Sequence, residues 1–119
     1  MPRPLDVPVS ERVGIARLAN DAIDLTDGVT PTSGPAGRWQ TNGGRDSIPG
    51  VLAVEDSRGR VDVELHLVVR WPPVAALEQI ADELRSQLRR AAGAAGMGDR
   101  LGAVSVTFDD VLVQTEAPS

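Results

Sequence analysis

Alternating apolar and polar positions make the second half of the chain the easiest to read. Val61, Val63, Leu65, Leu67 and Val69 alternate with Asp62, Glu64, His66, Val68 and Arg70. A sustained period of two predicts a half-buried strand with one apolar face. Gly50–Glu55 reads as a second strand, and Asp56-Ser57-Arg58-Gly59 has turn composition, so the two strands form an antiparallel hairpin. Trp71-Pro72-Pro73 closes the long strand. Leu77, Ile80, Ala81, Leu84, Leu88 and Ala91 then fall on one helical face, which predicts a helix over 74–92 stopped by Gly93 and Gly96. Glu78 and Asp82 sit early on another face and Arg85 and Arg89 late, as the helix dipole favours. Val104, Val106 and Phe108 alternate with Ser105 and Thr107 in a last strand over 103–113. The alternation changes phase at Asp109-Asp110, and Val111 and Val113 resume out of step, which predicts a β-bulge.

The first half is less regular. Pro2, Pro4 and Pro8 predict an extended arm over residues 1–9. Ser10 then serves as N-cap of a helix whose apolar stripe, Val13, Ala16, Ala19 and Ile23, is rich in alanine and stops at Gly28. Residues 30–47 are rich in glycine and proline and read as a long loop, with Arg38–Thr41 as a possible short strand inside it. Residues 115–119 read as a loose tail. The elements run α–β–β–α–β in a single α+β domain over 10–114. The expected architecture is a small three- to four-stranded mixed sheet with both helices packed on its apolar face. The strand at 61–70, the helix at 74–92 and the strand at 103–113 form a crossover.

Composition narrows the chemistry. A length of 119 residues fits one domain. The absence of cysteine excludes disulfides, thiolate zinc sites and cysteine nucleophiles. One histidine excludes multi-histidine metal sites. All 12 basic residues are arginine, which excludes lysine Schiff-base chemistry and the P-loop lysine, and matches the codon bias of a GC-rich bacterial genome such as an actinobacterial one. A net charge of −5 argues against nucleic acid as a partner. Trp39, Trp71 and Phe108 are the only aromatic residues, so the core must be built from Val, Leu, Ile and Ala. The N-terminus lacks the apolar stretch of a secretory signal, and no apolar run is long enough to span a bilayer. The expected location is cytoplasmic, with no direct membrane insertion.

Few residues offer chemistry. His66 falls opposite the apolar row, where alternation alone makes it an ordinary solvent-facing residue. With Asp62, Glu64 and Asp109 on the same side it would instead suggest a carboxylate-metal hydrolase. The glycines fit no phosphate-binding fingerprint and the serines no nucleophile elbow. Arg85, Arg89 and Arg90 form a small basic patch, open either to an anionic partner or to i,i+3 pairing with Asp82. Trp71 is either a lid on the core edge or an anchor for a partner. Trp39 lies in the 30–47 segment, which would close over a site if the chain were a small ligand-binding regulatory module. No catalytic, cofactor-binding or metal-binding residue is assigned, and no cofactor is implied. The candidate partner contacts are Trp71, Trp39 and Arg89.

Several runs carry a family resemblance. They are Asp27-Gly28-Val29, Ile48-Pro49-Gly50-Val51, the strand Val61–Trp71, the helix start Val74-Ala75-Ala76-Leu77-Glu78-Gln79-Ile80-Ala81, and Val104-Ser105-Val106-Thr107-Phe108-Asp109-Asp110-Val111. In order and spacing they resemble the alkaline shock and general stress proteins of the bacterial envelope stress response, over about residues 10–114. The Trp71-Pro72-Pro73 junction is shorter than the family's, and Thr30–Asn42 has no counterpart. The resemblance implies a non-enzymatic cytosolic scaffold or adaptor. It would be held at the inner face of the membrane by a small membrane-anchored protein and would associate with itself. The family offers no catalytic residues to carry over.

Overall fold

The structure, a computed structural model, describes residues 6–43 and 46–113. Its elements are α1 (Asp6–Asp24), β1 (Val29–Pro31), β2 (Gln40–Gly43), β3 (Asp46–Pro49), β4 (Val51–Glu55), β5 (Val61–Trp71), α2 (Leu77–Ala94) and β6 (Leu101–Val113). The chain has the α+β fold that its pattern predicts, with strands additional to the expected ones.

The long alternating segment, β5, is the centre of a mixed sheet. Strand β6 runs parallel to it, from Val61↔Leu101 to Trp71↔Val113. On its other edge two short antiparallel strands lie end to end: β4 pairs with residues 61–65 and β1 with residues 67–69. Helix α2 makes the crossover between β5 and β6. The odd-numbered residues of β5, from Val61 to Val69, are buried beneath the helices. There they join Ile15, Ala16, Ala19 and Ile23 of α1 and Ile80, Leu84 and Leu88 of α2 in one core. Each buried Leu or Ile stabilises by about 1.5–3 kcal/mol. The alanines on α1 contribute less area but let that helix approach the sheet closely.

Helix α1 begins at Asp6 rather than at Ser10, so residues 6–9 are not an extended arm. Pro8 is tolerated because the first-turn amides of a helix have no intrahelical acceptor. Residues 1–5 and the expected tail at 115–119 lie outside the described residues. Helix α2 starts at Leu77, three residues later than expected, and runs through Gly93. The Gln79 side chain accepts the Ala76 N–H at 3.3 Å at its start, and Gly96, at φ +76°, follows its end.

The 30–47 segment is not a loop throughout. It carries β1, a 3-10 turn at Pro35–Gly37, and the antiparallel pair β2–β3. Several contacts fix this insert to the domain, among them one from Asn20 Nδ2 of α1, which donates to Pro49 O at 3.4 Å. Ile48 enters the core. The Thr41 hydroxyl donates to Val51 O at 2.7 Å and accepts from Ala53 N–H at 3.0 Å, supplying partners along the free edge of β4. The expected bulge is present: Leu67 pairs with Phe108 and Val68 with Asp110, so Asp109 is the extra residue.

Candidate functional site

His66 sits where β4 gives way to β1. Its N–H donates to Gly50 O at 2.8 Å and its carbonyl accepts from Thr32 N–H at 3.0 Å. Residues 33–49 leave the sheet edge at this point and return to it. Trp39 N–H donates to Ser33 O at 2.7 Å, and Gly50 N–H donates to Trp39 O at 2.8 Å. These bonds lay the indole flat on the imidazole, with ring centroids 4.3 Å apart and planes 4° apart. His66 Nδ1 lies 2.8 Å from Asp109 Oδ2, and Nε2 lies 2.6 Å from Glu64 Oε1. Both ring nitrogens can donate to carboxylates in the imidazolium form.

This corrects the expectation of a solvent-facing histidine: His66 is only 5% exposed. Alternation identified its face correctly, but that face is covered. The insert folds Trp39 onto it, and the bulge brings in Asp109 from the neighbouring strand. Trp39 therefore lays one face of its ring on His66 and is itself half-buried.

His66 bridges two carboxylates: its two ring nitrogens point in different directions, and each meets its own. Asp62 is engaged elsewhere, accepting Ala103 N–H at 2.9 Å. Among the described residues, no group of three or more His, Asp or Glu is placed to hold a metal ion. The four residues weighed for a hydrolase thus do not converge on one point.

Trp71 belongs to a different feature. Among the described residues seven large hydrophobics are exposed, and six gather at one end of the molecule: Leu25 after α1, Trp71 and Val74 between β5 and α2, and Val111, Leu112 and Val113 at the end of β6. Trp71 is 44% exposed and pairs in register with Val113. Beside them a groove of about 380 Å³ runs between the end of α1 and the start of α2. Leu25, Val74, Ala75 and Ile80 form its apolar lining, and Asp27 and Glu83 add acidic groups.

The arginines of α2 divide. Arg85 is structural: Nη1 meets Asp82 Oδ1 at 3.0 Å, the anticipated i,i+3 pair, and Nε donates to Val104 O at 3.1 Å. Arg89 instead lines a cleft at the opposite end of β5, together with Arg58 and Arg60 of the β4–β5 turn. That turn is tightly fixed. Asp56 Oδ1 accepts Arg58 N–H at 2.8 Å and Arg60 N–H at 2.9 Å. These backbone hydrogen bonds, the one from Arg60 first, hold the Asp56 carboxyl below its ordinary pKa.

No helix among the described residues is long and apolar enough to cross a membrane. Comparison of the chain with family models, curated proteins and solved structures gives no match.

Proposed function

We propose that this chain is a non-enzymatic scaffold or adaptor of the alkaline shock type, working at the inner face of the cell envelope. Its partner is a small membrane-anchored protein, and it also associates with copies of itself. The gathering of exposed hydrophobic side chains at one end carries this reading. Exposed apolar side chains gathered in this way mark contact sites, and tryptophan is among the residue types enriched at their energetic centre. The engagement of both His66 nitrogens by the protein's own carboxylates supports a role based on surface rather than chemistry. The acidic net charge supports a protein partner over nucleic acid.

The test is capture from detergent-treated membranes of the native host, using the wild-type chain and a Trp71→Ala/Val113→Asp variant in parallel. The wild type should retain a small membrane protein that the folded variant loses. A wild-type chain that retains no membrane protein, or equal retention by the variant, overturns the proposal.

A further inference from the structure

The end of the molecule opposite the apolar one carries a second feature, independent of the scaffold reading. Three elements meet there: the β4–β5 turn, the C-terminal half of α2 and the start of β6. They enclose an open cleft of about 440 Å³, into which Arg58, Arg60 and Arg89 contribute. Three of the chain's 12 basic residues thus converge on one concavity of a protein with net charge −5.

The cleft also contains Asp56 and Asp62, so the charge balance depends on what these carboxylates do. Each is tied to backbone. Asp56 Oδ1 accepts two amides of its own turn, and Asp62 Oδ1 accepts Ala103 N–H. The three guanidinium groups differ. None makes a hydrogen bond or ion pair with another described residue, whereas Arg12, Arg85 and Arg100 all do. The cleft therefore offers N–H donors free of hydrogen bonds and, with three arginines against two carboxylates, a small net positive charge, with Arg58 and Arg60 also acting electrostatically on the Asp56 carboxylate.

The framework is also preformed. Asp56 N–H donates to Arg60 O at 2.7 Å, Gly59 N–H donates to Asp56 O at 3.2 Å, and Arg100 Nη1 donates to Gly59 O at 3.3 Å. The backbone that carries Arg58 and Arg60 is thus held from both sides. Gly102 faces Asp62 so closely that a Cβ there would run into the carboxylate, which leaves the cleft wall as bare backbone. A guanidinium fork matches the tetrahedral oxygens of a phosphate bidentately, and a neighbouring fork adds donors from another direction.

We infer that this cleft binds a phosphate group, through Arg58, Arg60 and Arg89. The same chemistry is available in free phosphate compounds and in anionic lipid headgroups. The first arm of the test is an amide NMR titration of the whole chain with sodium pyrophosphate, with sodium chloride at matched ionic strength as control. Saturable shifts at Ser57–Arg60, Gly102 and Ala103 are expected with pyrophosphate alone. Arg89→Ala should weaken the affinity about tenfold or more, as expected for the loss of charge-assisted hydrogen bonds. Arg38→Ala, which removes an equal charge outside the cleft, should leave it unchanged.

The second arm measures co-sedimentation with phosphatidylglycerol-containing vesicles against phosphatidylcholine vesicles. Retention that is lost in Arg89→Ala and competed by pyrophosphate identifies a headgroup as the source. A saturable titration without vesicle binding identifies a soluble phosphate compound. Shifts that are linear, reproduced by chloride, or unaltered in a folded Arg89→Ala variant overturn the inference.

Discussion

His66 shows how burial decides what a polar contact contributes. Its ring is nearly inaccessible, while its partners differ: the Asp109 side chain is 16% exposed and that of Glu64 is 50% exposed. Removing an acceptor from a buried donor leaves that donor without a partner, at a cost of about 1–3 kcal/mol. A half-exposed pair exchanges with water and contributes less than about 1 kcal/mol. Asp109→Ala should therefore destabilise clearly more than Glu64→Ala in urea denaturation, and equal losses would contradict the burial argument. Gly50 makes a second prediction at this scale. It has φ +74°, and a Cβ would lie 2.6 Å from Pro31 Cβ and 2.8 Å from His66 O. Gly50→Ala should cost about 2 kcal/mol or more through the left-handed conformation together with this crowding. Its effect should include loss of the Trp39–His66 stack, visible in the near-ultraviolet circular dichroism.

The elements show which parts of the fold were legible. Strand β5 and helix α2 were read from periodicity because each buries one regular face, and a local pattern records a regular face. The bulge at Asp109 was legible for the same reason, as a break in that pattern. The insert at 33–49 was not legible: its anchors are scattered single contacts, among them Ile48, the Trp39–His66 stack and the Thr41 hydroxyl, which reaches a strand edge ten residues away in sequence. The cover over His66 was missed with it, since no local pattern links Trp39 to a residue 27 positions on. Of the candidate contacts, Trp71 was placed at a junction and lies there exposed, while Arg89 acquires its neighbours from a turn that only the fold brings near. That turn makes its own prediction. The Asp56 carboxylate is favoured in the folded state, so its folded pKa lies below the unfolded value of about 3.9. Its contribution is present above the unfolded value and is lost as pH falls through the folded one. Asp56→Asn should lower stability at neutral pH, and the difference from wild type should shrink in acid denaturation below about pH 3.9. A difference that is constant across that range would show that the Asp56 charge is not what holds the turn.

At the scale of the molecule, the long parallel pair β5–β6 separates two unlike ends. Its start carries the arginine cleft, and its finish extends Trp71, Val111 and Val113 beyond the cover that the helices give Val69. Apolar surface left in this way favours association, and a surface patch that meets its own copy about a twofold axis makes a closed contact without any other partner. The outer edge of β6 adjoins this patch, because among the described strands β6 pairs only with β5. The isolated chain should therefore associate reversibly through the apolar end, with a sedimentation coefficient that rises with concentration. Leu112→Asp/Val113→Asp should abolish the rise. Val54→Asp supplies the control, since Val54 is the seventh exposed large hydrophobic among the described residues and lies on β4, paired with Asp62 near the start of β5. If Val54→Asp proved as disruptive, the association would follow general hydrophobicity rather than this end. A wild-type chain that stays monomeric at every concentration would leave the apolar end to a different protein alone, and self-association would be removed from the proposed function.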